Sequence, residues 1–431
     1  MELPKKRTQL KKSLIPQIRS LFQTNLKQGY SKWKQTNYSF ISPANIEYTY
    51  QFLWDTAFHA IVLSHFDTQW AKSEIRTFLL AQQPSGFLPH IIFWGENRLP
   101  HWAYIESKPS LRPRMTAITQ PPVFPLAVEA IYKRDGDKKF LNEVLDKLAN
   151  HHRWLIGHRD IDKDNLMAII SPNESGMDEL PVFQPVLGYL GHDRAKLRYY
   201  FRKPDFLNQR YRFNHERILA KDYFNVEEIL FNTVFIESAR ALARLYRLIK
   251  QAKKAVFFDQ VAKQSETSLL KKCWNTQDQI FYSLFSKTEQ QATVKTVSSL
   301  TTLFLAGLQG KKFEATVKHL LNPKEFWTNY PVPSVAKDEP YYVPYYQPGY
   351  KIRNLIVFNE LLWRGPTWIN TNWFVVKGLR KHGYHEIADQ IVAKMLKMIQ
   401  KYGFREYYNP ETGEGYRHQN FAWSTLILDL L

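Results

Sequence analysis

Residues 225–248 read NVEEILFNTVFIESARALARLYRL, and their spacing decides the fold class. Ile229, Leu230, Val234, Ala241, Leu242, Leu245 and Leu248 recur with the 3.6-residue period of an amphipathic helix. Asn225 followed three residues later by Glu228 has the pattern of an N-cap with its capping-box partner. The same period returns from Trp54 through Phe58, Ile61, Val62, His65 and Phe66, and from Ile387 through Ile391, Met395, Leu396 and Ile399. Further helices are expected near 69–82, 120–133, 138–156, 255–273, 295–308, 312–321, 367–382 and 420–430, about a dozen in all. Strand signals are short, near 86–94, 166–170 and 279–285, and read as hairpins within loops. No repeat of fixed period runs through the chain, which disfavours a solenoid. The expected class is all-α.

Three long segments break the helical pattern: 84–119, 171–223 and 322–366. Prolines 323, 331, 333, 340, 344 and 348 exclude a continuous helix in the last of them. Long ordered loops are usually functional, so these three are expected to surround a site or cover it as a lid. No low-complexity linker divides the 431 residues. The expected organisation is a basic N-terminal segment, 1–40, leading into one catalytic domain, 41–431.

Composition narrows the partners. Lys and Arg number 59 against 40 Asp and Glu, a formal charge of +19. Such a balance suits an anionic partner or a basic solvated surface. None of the nucleic-acid recognition motifs is present, so neither nucleic acid nor a membrane is an expected partner. Aromatic residues make up 15%. Beyond core packing, rings near polar groups suit a sugar, whose apolar face stacks on them. Cys273 is the only cysteine, which excludes an internal disulfide and a cysteine metal site and fits a reducing compartment. The basic N-terminus lacks the apolar run of a secretory signal, so the cytoplasm is expected, with an organelle address as the alternative.

Elimination leaves carboxylates as the candidate chemistry. There is no GxSxG, CxxC, HExxH, Walker A or GxGxxG sequence, and neither a cofactor nor a metal is expected. His151 and His152 are adjacent on a helix and face different directions, unlike a metal pair. Glu174 and Asp178 lie in the turn SPNESGMDEL (171–180). A carboxyl desolvated beside Met177 would have a raised pKa, as a general acid needs. A capped turn without chemistry is the plain alternative. Glu406 lies among rings in YGFREYYNPETGEG (402–415), and Arg405, if paired with it, would keep it ionised as a base. Asp55, in WDTAFH (54–59), opens an otherwise apolar helix. It either favours the helix dipole or accepts bonds from sugar hydroxyls. LLWRGPTWINTNW (361–373) places Trp363, Trp368 and Trp373 close together, more than a core alone requires.

FLWDTAFHA (52–60), SGFLPHIIFW (85–94), ITQPPV (118–123), SPNESGMDE (171–179), PVPSV (331–335), WRGPTWINTNW (363–373), FREYYNPETGEG (404–415) and FAWST (421–425) together resemble glycoside hydrolase family 63. The resemblance is closest to its short mannosylglycerate and glucosylglycerate hydrolases. It implies an (α/α)6 barrel with loops and small β-hairpins around the active-site mouth, and hydrolysis with inversion. It carries the general acid to Asp178 and the general base to Glu406. It carries substrate binding to Tyr48, Gln51, Trp54, Asp55, His90, Gln120, Asn173, Gly176, Trp363, Arg364, Gly365, Trp368, Gln419 and Trp423. Met177 and Arg405 depart from the family pattern, where an aromatic and a small residue are expected. The implied partner is a small α-glycoside, anionic if the aglycone is glycerate, and a homo-oligomer is compatible. Lys and Arg at 194, 196, 198, 202, 203, 210, 212, 217 and 221 then suggest a lid over the aglycone, against the alternative of an exposed basic insertion. A neutral α-glucoside as substrate, and a non-catalytic sugar-binding protein, are the competing readings.

Overall fold

The computed structural model describes residues 2–95, 98–346, 350–352, 355–357 and 361–431. Pro348, one of the helix-excluding prolines, and parts of the segments 84–119 and 322–366 lie outside the described residues.

Helices that are apolar all round must be buried, and those with a polar face line the outside. Every residue of Leu53–Leu63 is buried. It packs on Phe124–Asp135, which packs on Ile229–Leu248; Val297–Thr301, Ile369–Lys381 and Ala422–Leu426 follow, and the last returns to Leu53–Leu63. These six form a closed inner ring. Outside them lie Thr68–Leu79, Lys138–Arg159, Ala252–Lys272, Gly310–Leu321 and His385–Tyr402, each buried along one stripe only. The helix Glu2–Asn25 fills the sixth outer place, with Leu14, Ile18, Leu21 and Phe22 in the core. The molecule is therefore the expected helical barrel. The basic N-terminal segment holds this outer helix and most of the hairpin Leu26–Ser31 with Thr36–Ile41.

Two local expectations change. Glu228, not Asn225, caps the helix Ile229–Leu248, accepting from Phe231 N at 2.7 Å. Val226 and Glu227 are extended, because they pair with Leu284 and Phe285, and this delays the helix. The segment 171–223 is not all loop. It holds the helices Arg194–Arg210 and His215–Lys221, opened by Asp193 and Asn214 as side-chain caps. Two Asx caps, at Lys196 N and Arg217 N, outweigh the single Pro204.

Most strands form short hairpins, but Gln51–Phe52 pairs with Ile91–Ile92 and Val226–Glu227 with Leu284–Phe285 over long sequence separations, and the expected strand at 166–170 is reduced to one bridge from Ile169 to Val226. One hairpin, Arg405–Tyr408 with Gly415–Gln419, carries Glu406. Among the described residues no helix is long and apolar enough to cross a membrane.

Close approach of inner elements shows at Gly378. A Cβ there would sit 2.5 Å from the Leu303 backbone. Gly157, in contrast, has open space. Gly378→Ala is expected to lower stability by about 1–3 kcal/mol through overpacking. Gly157→Ala is expected to leave it unchanged or raise it by about 0.5–1 kcal/mol. Urea denaturation of both variants checks the pair.

Candidate active site

The barrel's loop end is held by one buried ion pair. Arg159 ends the helix Lys138–Arg159, and its guanidinium meets Glu174 at 2.7 and 2.5 Å, both side chains fully buried. Glu174 also accepts from Thr119 N at 3.0 Å and Ile170 N at 2.8 Å. Glu174 is thus part of the scaffold, although it stood beside Asp178 as a candidate. Its bonds draw together the segment that carries Gln120 and the turn 171–178.

In that turn Gly176 has φ +73°, and a Cβ there would meet the Trp54 ring at 2.5 Å. Only glycine allows both the turn and the ring. Met177 is buried, its N–H bonded to Ser175 Oγ at 2.9 Å, so the departure from an aromatic is absorbed by the core.

Asp178 and Glu406, 228 positions apart, face one narrow cavity. About 70 Å³ of it is open to the centre of a water-sized sphere. Its walls include Tyr48, Trp54, Asp55, His90, Gln120, Gly176, Trp363, Trp368 and Trp423, all expected from the sequence. Trp363 and Trp368 stack with centroids 3.7 Å apart, and Trp363 has φ +61°. Gln120 Oε1 accepts from Trp54 N at 3.2 Å.

The two carboxylates sit in contrasting surroundings. Desolvation pushes Asp178 up to about 7, with Glu179, Asp205 and Glu406 adding negative charge nearby. Asp178 keeps partial exposure. Glu406 is sealed, and burial raises it, but Arg417, His418 and Tyr48 oppose that rise. Its Oε1 accepts from Tyr48 Oη and Arg417 Nη1, each at 3.2 Å, while Oε2 has no hydrogen-bond partner within the protein. The cation beside Glu406 is therefore Arg417, not the expected Arg405. Consecutive strand residues point to opposite faces, and Arg405 turns away to the carbonyls of Tyr402 and Arg417. Asp55 is buried with an unpartnered Oδ1 and pushed up to about 8, first by desolvation and then by Glu406 and Asp178. His90 is held neutral by burial, which lowers it to about 3.

A glycoside hydrolase domain model, described as mannosylglycerate hydrolase MGH1-like, matches residues 48–424. The chain belongs to this glycoside hydrolase family. The hydrolase is 29% identical over 418 residues to a mannosylglycerate hydrolase of Thermus thermophilus, covering 90% of this chain and 95% of the relative. It is 24% identical to the glucosylglycerate hydrolase of Mycolicibacterium hassiacum, covering 90% and 93%. A crystal structure of a family 63 mannosylglycerate hydrolase from Thermus thermophilus, in complex with Tris and D-glycerate, superposes with a TM-score of 0.81 at 26% identity, over 96% of this chain and 98% of that one.

Beside the narrow cavity lies a second, of about 210 Å³, sharing Tyr48, Asp178 and Leu362 with it. Asn173 lines this second space, with Glu106, Glu179, Arg198, Arg202, Asp205 and Arg417. Of the nine basic residues at 194–221, Arg198 and Arg202 reach it; Arg212 and Arg217 line a different groove. Four expected contacts reach neither cavity. Gln51 accepts from Trp94 Nε1 at 2.7 Å, and Gln419 is exposed on its strand. Arg364 donates to Gln184 Oε1 at 2.5 Å, and Gly365 packs on Val343, so both shape the wall from behind. The sequence reading missed Glu106, Asp205 and Arg417, whose local sequences carry no signal beyond polarity, and did not single out Phe421 within FAWST (421–425).

The buried pair and the buried acids make separable predictions. Glu174→Gln leaves Arg159 uncompensated, so a stability loss of about 3–5 kcal/mol is expected in denaturant titration. Asp178 behaves differently. Unfolded, it ionises near pH ~3.9, whereas folded it holds its proton to about 7, so its charge penalises the fold increasingly as pH climbs between those values. Asp178→Asn, which cannot ionise, should therefore melt higher than the parent at pH 8, with the gap closing towards pH 4. An equal gap at both ends would contradict the raised pKa.

Proposed function

We propose that the hydrolase cleaves a small α-glycoside of glycerate by single displacement, with Asp178 as general acid and Glu406 as general base. One observation carries this reading: a ring-lined cavity between the two carboxylates shares Tyr48, Asp178 and Leu362 with a second cavity lined by three arginines.

The narrow cavity suits the sugar. Trp54, Trp363, Trp368 and Trp423 offer apolar faces, and Asp55 and Gln120 offer polar atoms for ring hydroxyls. The second cavity suits a short anionic aglycone. Arg198, Arg202 and Arg417 line it beside Glu106 and Asp205, which are both raised, by desolvation first, and are joined through Asn173 Nδ2 at 2.9 and 3.4 Å. A carboxylate there would find guanidinium partners of bidentate geometry. The names of the relatives, mannosylglycerate and glucosylglycerate hydrolase, agree with this class.

Proton roles follow from environment, since the carboxyl whose surroundings are negative keeps a proton to donate. Asp178 lies at the junction of the cavities, where the glycosidic oxygen must sit, and protonates it as the bond breaks. Glu406, whose rise Arg417 and His418 oppose, takes a proton from water attacking the opposite face. Its unpartnered Oε2 is the acceptor for that water. The reaction as written needs no cofactor.

A panel of α-mannosyl- and α-glucosylglycerate with neutral α-glucosides, followed by NMR, tests the reading. The β-anomer is expected as first product, with activity lost in Asp178→Asn and in Glu406→Gln. Full activity in either variant, or α-anomer as first product, would reject it. Arg202→Met should raise KM for the glycerate substrates and leave neutral glucosides unaffected. The kcat/KM profile should fall above pH about 7, where Asp178 loses its proton, and fall again at acid pH where Glu406 gains one.

A further inference from the structure

Arg212 and Arg217 line a groove with about 840 Å³ open to the centre of a water-sized sphere, ample for a small molecule. It shares no lining residue with either cavity of the active site. Stretches distant in sequence meet there: one from 108–117, one from 211–217, and Trp154 with His158 near the end of the helix Lys138–Arg159. Lys108, Arg212 and Arg217 are exposed, and none of them has a carboxylate partner among the described residues. Arg112 and Arg114 line the groove as well, and Glu216 is its one lining carboxylate among the described residues. Exposed arginines elsewhere do find carboxylates, as Arg76 finds Glu143 and Arg244 finds Glu129.

The floor of the groove is apolar, since Phe87, Trp154 and Phe213 line it and are buried. A concave surface of one charge sign backed by apolar walls concentrates its field, as scattered charges on a convex surface do not. His215, another lining residue, feels that field. After its burial, the influences holding its imidazole well below the usual histidine range are Arg159, His158 and Lys108. The backbone serves the same arrangement. Arg212 and Phe213 have φ +52° and +53°, two adjacent left-handed residues where neither is glycine. Such a conformation persists only where its surroundings impose it. Here it turns Phe213 into a cluster with Ile218 and Leu219 and leaves the Arg212 side chain exposed at the groove.

We propose that this groove binds a small phosphorylated anion through Lys108, Arg212 and Arg217. A lone carboxylate would answer one of these cations. A phosphate group carries roughly −1.5 to −2 at pH 7 on three acceptor oxygens, enough to engage all three. Guanidinium forks pair with phosphate oxygens two at a time, and the lysine adds a point charge beside them. The enclosed volume favours a small molecule over a polymer, which would need an open track. The site also touches the clamp at the barrel mouth. Ala117 lines it two residues before Thr119, which bonds Glu174, and His158 precedes Arg159. An occupant joining 108–117 to 211–217 therefore stabilises the fold around that ion pair.

The test uses the full chain with inorganic pyrophosphate as probe, and potassium chloride at equal ionic strength as the blank. Calorimetric titration should show one pyrophosphate per chain, and melting should rise by a few degrees at saturation. Lys108→Ala and Arg217→Ala remove exposed side chains, so both should fold, as circular dichroism would verify, and each should weaken binding by about tenfold. Arg202→Met, altered in the cavity beside Asp178, should bind pyrophosphate as the parent does. Absence of binding heat with melting equal to the chloride blank would overturn the site. So would affinity lost in Arg202→Met but kept in both groove variants, which would place the anion in the active site. Tighter binding of a single-stranded oligonucleotide than of pyrophosphate would overturn the small ligand.

Discussion

Everything at the mouth of this barrel hangs on the Arg159–Glu174 ion pair. Two fully buried charges are expensive to desolvate, and only good geometry and complete hydrogen bonding repay that cost. Both conditions are met. The guanidinium engages both carboxylate oxygens, and those oxygens also take Thr119 N and Ile170 N. One side-chain pair thus holds the end of an outer helix, the approach to Gln120 and the turn bearing Asp178 in a single register. The cavity walls are consequences of that register: Gly176 can pass under Trp54 only where the turn is pinned.

The reactive pair is differentiated by neighbours rather than by residue type. Asp178 and Glu406 are both desolvated, which alone would raise both. The difference lies in the second influence. Glu179, Asp205 and Glu406 surround Asp178 with negative charge, while Arg417 and His418 face Glu406. Asp55 adds a third acid whose protonation keeps the cavity from accumulating charge.

Much of the fold was legible because helical periodicity is a local signal. The stripes at 229–248 and from Trp54 onward mark helices before any contact is known. Failures came where non-local pairing competed with local pattern. Val226 and Glu227 look like a helix start, yet long-range pairing with residues 284–285 draws them into a strand. The basic stretch 194–221 looks like loop, yet caps at Asp193 and Asn214 make it helical. The same limit applied to the site. Arg405 was the visible neighbour of Glu406, but strand alternation turns it away and brings in Arg417 from the facing strand.

The sequence by itself determined the helical class, the turn chemistry around Asp178 and Glu406, and the aromatic supply of the cavity. Each is encoded within a few consecutive residues, where backbone preference and side-chain spacing act directly. Only the tertiary structure decided which charges meet. Arg159 found Glu174, Arg417 found Glu406, and Arg198 and Arg202 reached the cavity beside Asp178 while their basic neighbours did not. Electrostatic partnership depends on distance and burial, and both are set by the closure of the barrel rather than by position along the chain.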